Sequence, residues 1–197
     1  MLTQEQKDER RARLLEAASA LLSGAEGQRL QMVNLNKAIF YLDLVCLRDL
    51  GSPITNTTFV ALKQGPVVAH YEKRLVLPLF ESGIAVGEPE GQSKPIKLIK
   101  PLFPMKYVTP QIQQLAEDVG GWISRKSATE VSHYSHQNLG WKMAYRNGLG
   151  AHAKPQPIDL SIAMQQIVDV DPWLSEPLDE ESLAAVAAAD QGGGADW

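Results

Sequence analysis

The stretch from Asn34 to Leu50 constrains this chain more than any other part of it. At helical spacing, Leu35, Ala38, Ile39, Leu42, Val45 and Cys46 fall on one side, and Phe40, Leu44 and Leu47 on another. A helix that is apolar around most of its circumference must be surrounded, so this one reads as the central helix of its domain. Asn34 is a candidate N-cap, and Gly51 suits the C-terminal boundary, where a left-handed residue closes a helix. Asn36 and Asp43 lie two turns apart on one face and are candidates for a small buried polar contact. With Lys37, Asp43, Arg48 and Asp49 inside it, the run is too charged, and also too short, for a membrane span of about 20 residues.

The other segments read as cover for that helix. Gln4 to Leu22 predicts a helix, charged at first and then amphipathic through Leu14, Leu15, Ala18, Leu21 and Leu22, ending at Ser23-Gly24. Thr58 to Leu62 suits a short strand. Gly65-Pro66 predicts a helix start, because proline is tolerated in the first helical turn, and Pro78 should kink or end that helix. Ile84–Val86 and Ile96–Ile99 read as a hairpin around a mobile loop, Gly87 to Ser93, with Lys97 and Lys100 on the solvent face. Thr109 caps a helix from Pro110 whose Ile112, Leu115, Ala116, Val119, Trp122 and Ile123 give the cleanest amphipathic stripe in the chain. Gly120-Gly121 inside it costs roughly 1 kcal/mol per glycine relative to alanine, which predicts a kink or a close backbone contact. Ser127 to Glu130 is a capping box for a helix through His136, and Leu160 to Val168 is helical in pattern.

The resulting order, two helices, a strand, a helix, a hairpin and three helices, is an α+β fold, predominantly α-helical, with a small antiparallel β-sheet or hairpin. Residues 1–30 form an N-terminal helical extension, 31–172 the main domain, and 173–197 an acidic, Ala/Gly-rich mobile tail, weakly helical over Glu181 to Ala189. A chain of this length buries roughly 70% of its unfolded surface and needs no disulfide, and its single cysteine, Cys46, permits none within the chain. The charged start without an apolar signal core points with it to the cytoplasm. The net charge of -4 argues against a whole-surface affinity for nucleic acid. Two local basic clusters, Arg10, Arg11 and Arg13, and the series Lys94, Lys97, Lys100 and Lys106, read as solvated faces.

A catalytic set is not assembled by these residues. Cys46, inside an apolar run, reads as a small core residue and not as a nucleophile. His133 and His136 are spaced for two metal ligands but lack a carboxylate or cysteine beside them, so neither a metal nor a cofactor is expected. Ser135 and His136 point about 100° apart as sequence neighbours on a helix and make no dyad. There is no Gly-x-Ser-x-Gly, no phosphate-binding glycine loop and no His-Glu-x-x-His. No enzyme is expected.

Three stretches taken together carry a family resemblance. Leu35-Asn36-Lys37-Ala38-Ile39-Phe40-Tyr41, leading to Gly51-Ser52-Pro53-Ile54, resembles the opening helix and the Gly-x-Pro-Leu of the Panacea, SocA-like antitoxin family. Phe59 to Val68 with its Gln64-Gly65-Pro66-Val67, followed by Tyr71, is similar to that family's Tyr-Gly-Pro-Val hallmark, with Gln64 in the tyrosine's place. Ala128 to His136, followed by Gly140-Trp141-Lys142, is similar to its Leu-Ser-x-Leu-Thr-His helix and Pro-Trp segment, with Leu139-Gly140 where an acidic residue and proline are common. The resemblance spans roughly Val33 to Tyr145.

It implies a bacterial or phage antitoxin that neutralises a cognate protein toxin by direct contact. In the SocA-like branch it also implies an adaptor delivering the toxin to an AAA+ protease such as ClpXP. The expected interface centres on Lys63, Gln64, Gly65, Pro66 and Val67, where the presumed helix start would present free N–H groups, and takes in Tyr71, His136, Trp141 and Lys142. Trp141 and Tyr145 serve as anchors if exposed and as core if not. The competing reading is a nucleic-acid-binding transcriptional regulator of its own operon, against which no helix carries a recognition face of basic and amide residues.

Overall fold

The computed structural model of the protein describes residues 2–88, 95–147, 154–174 and 181, 182 and 184. It is an α+β fold, mainly helical. In chain order come α1 (Gln4–Gly24), a 3-10 turn (Glu26–Gln28), β1 (Arg29–Gln31), α2 (Met32–Leu50), β2 (Phe59–Leu62) and β3 (Gly65–Val68). A π-helical turn (Glu72–Val76) leads into α3 (Leu77–Glu81), followed by β4 (Ala85–Gly87) and β5 (Pro95–Leu98). The remainder is α4 (Pro110–Ser124), α5 (Ala128–His136), α6 (Leu139–Asn147) and α7 (Leu160–Ala163), which tightens into a 3-10 turn over Met164–Ile167, and a last 3-10 turn over Pro172–Leu174.

Every residue of α2 from Asn34 to Cys46 is buried, so this helix is the axis of the fold as its apolar circumference requires. Phe40 and Tyr41 sit in an edge-to-face aromatic cluster with Phe59 and Trp122, with ring centroids 5.3 Å apart. Gly51 closes α2 in the left-handed conformation (φ 78°). α2 begins earlier than expected, with Gln31 at the N-cap, because β1 runs straight into it. Asn34 is therefore not the cap; its amide donates to the Lys126 carbonyl at 3.3 Å. Asn36 and Asp43 are both buried but do not meet. Asn36 Oδ1 accepts from the Val68 N–H at 3.1 Å, while Asp43 accepts from the Thr55 N–H at 2.9 Å and from its hydroxyl.

α1 belongs to the same core, burying Leu14, Ala17, Ala18, Leu21 and Leu22. Its approach to α4 explains the glycine pair as a backbone contact. A Cβ on Gly120 would lie 2.3 Å from the Leu21 carbonyl oxygen, and one on Gly24 only 2.4 Å from Glu117 Cα. The Thr109 cap of α4 and the Ser127–Glu130 capping box of α5 both form as the sequence predicts.

β4 and β5 pair antiparallel, and β1 adds to the other side of β5 with Leu30 opposite Ile96, giving the order β1-β5-β4. The expected loop over Gly87 to Ser93 falls largely outside the described residues, as do Lys94 and most of the C-terminal tail. Gly65-Pro66 does not start a helix. It opens β3, antiparallel to β2, with Lys63-Gln64 as the turn between them. Ala61 faces Pro66 but sends its own N–H the other way, to the Gln156 carbonyl at 3.0 Å, so Pro66 occupies a position where no ladder donor is needed. β1, β3 and α6 were not foreseen as elements. Each is short, and although β3 pairs with its neighbour β2, all three pack on elements distant in sequence: β1 on β5, β3 on α2 and α5, and α6 on β2. No helix among the described residues is long and apolar enough to cross a membrane.

Candidate protein-interaction site

The three stretches singled out in the sequence meet at one point. From α2, Lys37, only 1% exposed, extends its amine to Ser132 Oγ on α5 at 3.0 Å. Ser132 Oγ in turn donates to the Gln64 carbonyl at 3.3 Å, and Ser135 donates to the Ser132 carbonyl at 2.9 Å. Gly65 packs against both: a Cβ there would lie 2.6 Å from Ser135 Oγ and 2.9 Å from Lys37 Cε, and its φ of 116° is one that side-chain-bearing residues rarely adopt. A lysine in so apolar a helix is tolerated because a carbonyl-anchored serine receives it. Together Lys37, Gly65 and Ser132 set the height and direction of the β2–β3 turn.

That turn stands at the rim of a groove of about 1340 Å³, bounded by β1, the first turn of α2, Gln64, Tyr71 and the α4–α5 junction at Lys126–Ala128. Lys63 is exposed at the tip, and Gln64 is half-buried. The lining is about equally polar and apolar and carries both signs of charge, with Arg29, Lys97 and Lys126 against Glu26 and Glu72 and with Leu30, Met32 and Val33 among its apolar residues. Asn34 lines it while 3% exposed, and its Oδ1 has no hydrogen-bond partner among the described residues. The Tyr71 phenol is pushed up, first by burial and then by the adjacent Glu72 carboxylate, to which it donates at 3.5 Å. A groove of this size, half polar and charged with both signs, suits a polypeptide segment better than an apolar ligand, which needs a mostly apolar cavity.

The nine residues named from the sequence are divided. Gln64 and Tyr71 line the groove, Lys63 stands beside it, and Gly65, Pro66 and Val67 are buried in the strand behind. The reason given for that edge, a helix N-terminus with free N–H groups, is corrected, since a strand begins there. His136, Trp141 and Lys142 belong to the α5–α6 side. There His136, Trp141 and Tyr145 form a stacked ladder with centroids 4.3 and 4.8 Å apart. Trp141 is 8% exposed and donates its indole N–H to the Leu62 carbonyl at 3.0 Å, so it ties α6 to β2. Sequence reasoning assigned no individual role to Lys37 or Ser132 and read Asn34 as a helix cap, not as part of the site. The signal available was a lysine and an asparagine inside a helix with no polar face to carry them.

Other ionisable groups serve the fold. Burial pushes the Cys46 thiol up to about 12, with Asp43 and Asp49 adding to it. Burial likewise raises Asp43 to about 7, against the pull of its Thr55 hydrogen bonds. In the basic clusters Arg11 pairs with Glu81 at 3.5 Å, Arg13 with Glu9 at 2.9 Å and Lys97 with Glu88 at 3.2 Å.

No curated protein and no solved structure matches the chain. Residues 35–142 match the family model described as antitoxin SocA-like, Panacea domain, a span running from the first buried turns of α2 through Gly65 and Ser132 to Lys142. It covers more than half of the chain and holds the whole Lys37–Gly65–Ser132–Ser135 assembly: the chain belongs to the SocA-like Panacea antitoxin family.

Proposed function

We propose that this chain is the antitoxin of a toxin–antitoxin pair, acting in the cytoplasm by direct contact with a cognate protein toxin and not by catalysis. The observation that carries the reading is the family match over residues 35–142. The groove supports it, because its mixed polar and apolar lining with charges of both signs, and the turn at its rim, offer a polypeptide hydrogen bonds, apolar contact and a shaped edge. In this reading Lys63, Gln64 and Tyr71 touch the toxin. Gly65, Pro66, Val67, His136 and Trp141 hold the surface in place, and Lys142 lies on the neighbouring α6 face.

Co-expression of the tagged chain with the gene adjacent to its own tests the proposal. A stoichiometric complex is expected, with the neighbour toxic when expressed alone. A neighbour that neither binds nor harms the cell would remove the antitoxin reading for this pair. Delivery to an AAA+ protease of the ClpXP type is the further step within the same reading. It requires that the toxin's half-life shorten when the antitoxin and protease are both present. A toxin equally long-lived in protease-deficient and protease-proficient cells would leave blockade alone.

A further inference from the structure

The segment that follows β5, from Ile99 to Val108, has a feature that the antitoxin fold does not explain. Phe103 is 92% exposed and Ile99 61% exposed. Leaving a phenylalanine in water forgoes the free energy of burying its ring, and the usual escape is for the loop to fold back. Here it cannot, because the loop is pinned along its inner side. The Ile99 N–H is held by the Ile84 carbonyl at 2.8 Å, and the Leu102 N–H by Ser19 Oγ at 3.0 Å. Past Phe103, the N–H groups of Lys106, Tyr107 and Val108 all point to the Glu16 carboxylate, at 2.9, 2.6 and 3.0 Å. Both anchoring side chains come from α1, where Glu16 is 7% exposed and Ser19 fully buried. The Arg13 guanidinium lies 4.3 Å over the Tyr107 ring and fastens the same end.

The charge on this loop runs against the rest of the molecule. Between Ile99 and Val108 stand Lys100 and Lys106, both exposed, and no carboxylate, in a chain whose net charge is -4. An aromatic carried between pinned stretches of backbone and flanked by cations has already met much of the backbone ordering cost of binding, which favours its use as an interface anchor. Two lysines fall short of the basic cluster of about four to eight that a lipid surface requires.

We propose that the Ile99–Val108 loop is a preformed contact for the toxin, with Phe103 inserting into an apolar pocket whose rim is acidic and meets Lys100 and Lys106. The inference rests on the antitoxin reading. It adds a second surface, built from the loop, which lies within the matched residues 35–142, and from α1, which precedes them.

The test uses the full chain and the product of the neighbouring gene, with affinity measured by titration after nuclease treatment. Phe103→Asp is expected to weaken binding by roughly 30-fold or more, the scale of a lost anchor. Phe103→Leu should retain most of the affinity, and Val170→Asp, at another exposed apolar position (53%), should match the wild type. Lys100→Glu with Lys106→Glu should slow association and flatten its salt dependence. Unchanged thermal unfolding of each variant establishes that folding is not the cause. Wild-type binding that Phe103→Asp leaves intact overturns the loop proposal while the antitoxin reading stands. A wild-type chain that does not bind a harmless neighbour overturns both, and a complex dissolved by the nuclease replaces the toxin with nucleic acid as the loop's occupant.

Discussion

Lys37 and Gly65, on different elements and far apart in sequence, are packed so closely that a methyl group on the glycine would lie 2.9 Å from the lysine's Cε. The lysine fills the space that a side chain at 65 would need, and the glycine's φ of 116° lets the strand begin over it. Gly65→Ala meets both obstacles, with Ser135 Oγ a third at 2.6 Å. A loss of about 2–4 kcal/mol is expected from strain and overpacking together. Urea denaturation measures it, and a variant within 0.5 kcal/mol of wild type, to take a rough noise level for surface substitutions, would mean the packing relaxes freely.

Asp43 makes stability depend on pH in a stated direction. Its carboxyl is raised by burial from 3.8 to about 7, so the folded state holds the proton more tightly than the unfolded one. The stabilisation this brings is complete below the unfolded value and is lost as pH rises from about 4 through about 7, after which it is constant. At 1.36 kcal/mol per pH unit the span is up to about 4 kcal/mol. Asp43→Asn cannot titrate, so the stability of wild type relative to the variant should fall across that window. Parallel curves from pH 4.5 to 8 would place the native carboxyl near its ordinary value.

The two adjacent glycines of α4 should respond oppositely. Gly120→Ala drives a methyl to 2.3 Å from the Leu21 carbonyl and forces α1 off α4, at a cost of about 2–3 kcal/mol despite the better helix former. Gly121→Ala meets the flexible Arg125 Nη1 at 3.4 Å and the Gly24 carbonyl oxygen at an ordinary contact distance of 3.6 Å, and should stabilise by up to about 1 kcal/mol. Thermal denaturation of the pair reads the difference directly, and equal effects would show that the backbone contact is not the reason for the glycines.

Glu16 collects three backbone N–H groups of residues 106–108 on one nearly buried carboxylate. Glu16→Gln keeps the shape but turns an amide donor toward those donors. A loss of about 2–3 kcal/mol is expected for charge-assisted bonds of this kind. Hydrogen exchange at Lys106, Tyr107 and Val108 should accelerate with it. Exchange unchanged at those three amides would show that the loop is ordered by something other than α1.

Much of this protein was legible in its residues because the signals were local. α2 is central since its circumference is apolar, Gly51 ends it, Thr109 and Ser127 cap the helices behind them, and Cys46 is inert in the core. The close approach at Gly120 was foreseen in kind, since a helix tolerates two glycines only for a reason. What only the tertiary structure decided depends on partners distant in the chain. Pro66 suits a helix start or a strand position that needs no donor, and β2 with Gln156 chose the strand. Asn34, a plausible cap, was displaced when β1 found β5 and ran on into α2. Asn36 and Asp43 share a face but were claimed separately by Val68 and Thr55. Lys37, unremarkable as one charge in a helix, became the pivot of the site once Ser132 and Gly65 arrived beside it. Helix propensity and capping act within a few residues and can be read along the chain, whereas which polar group satisfies which is settled only when the elements close on one another.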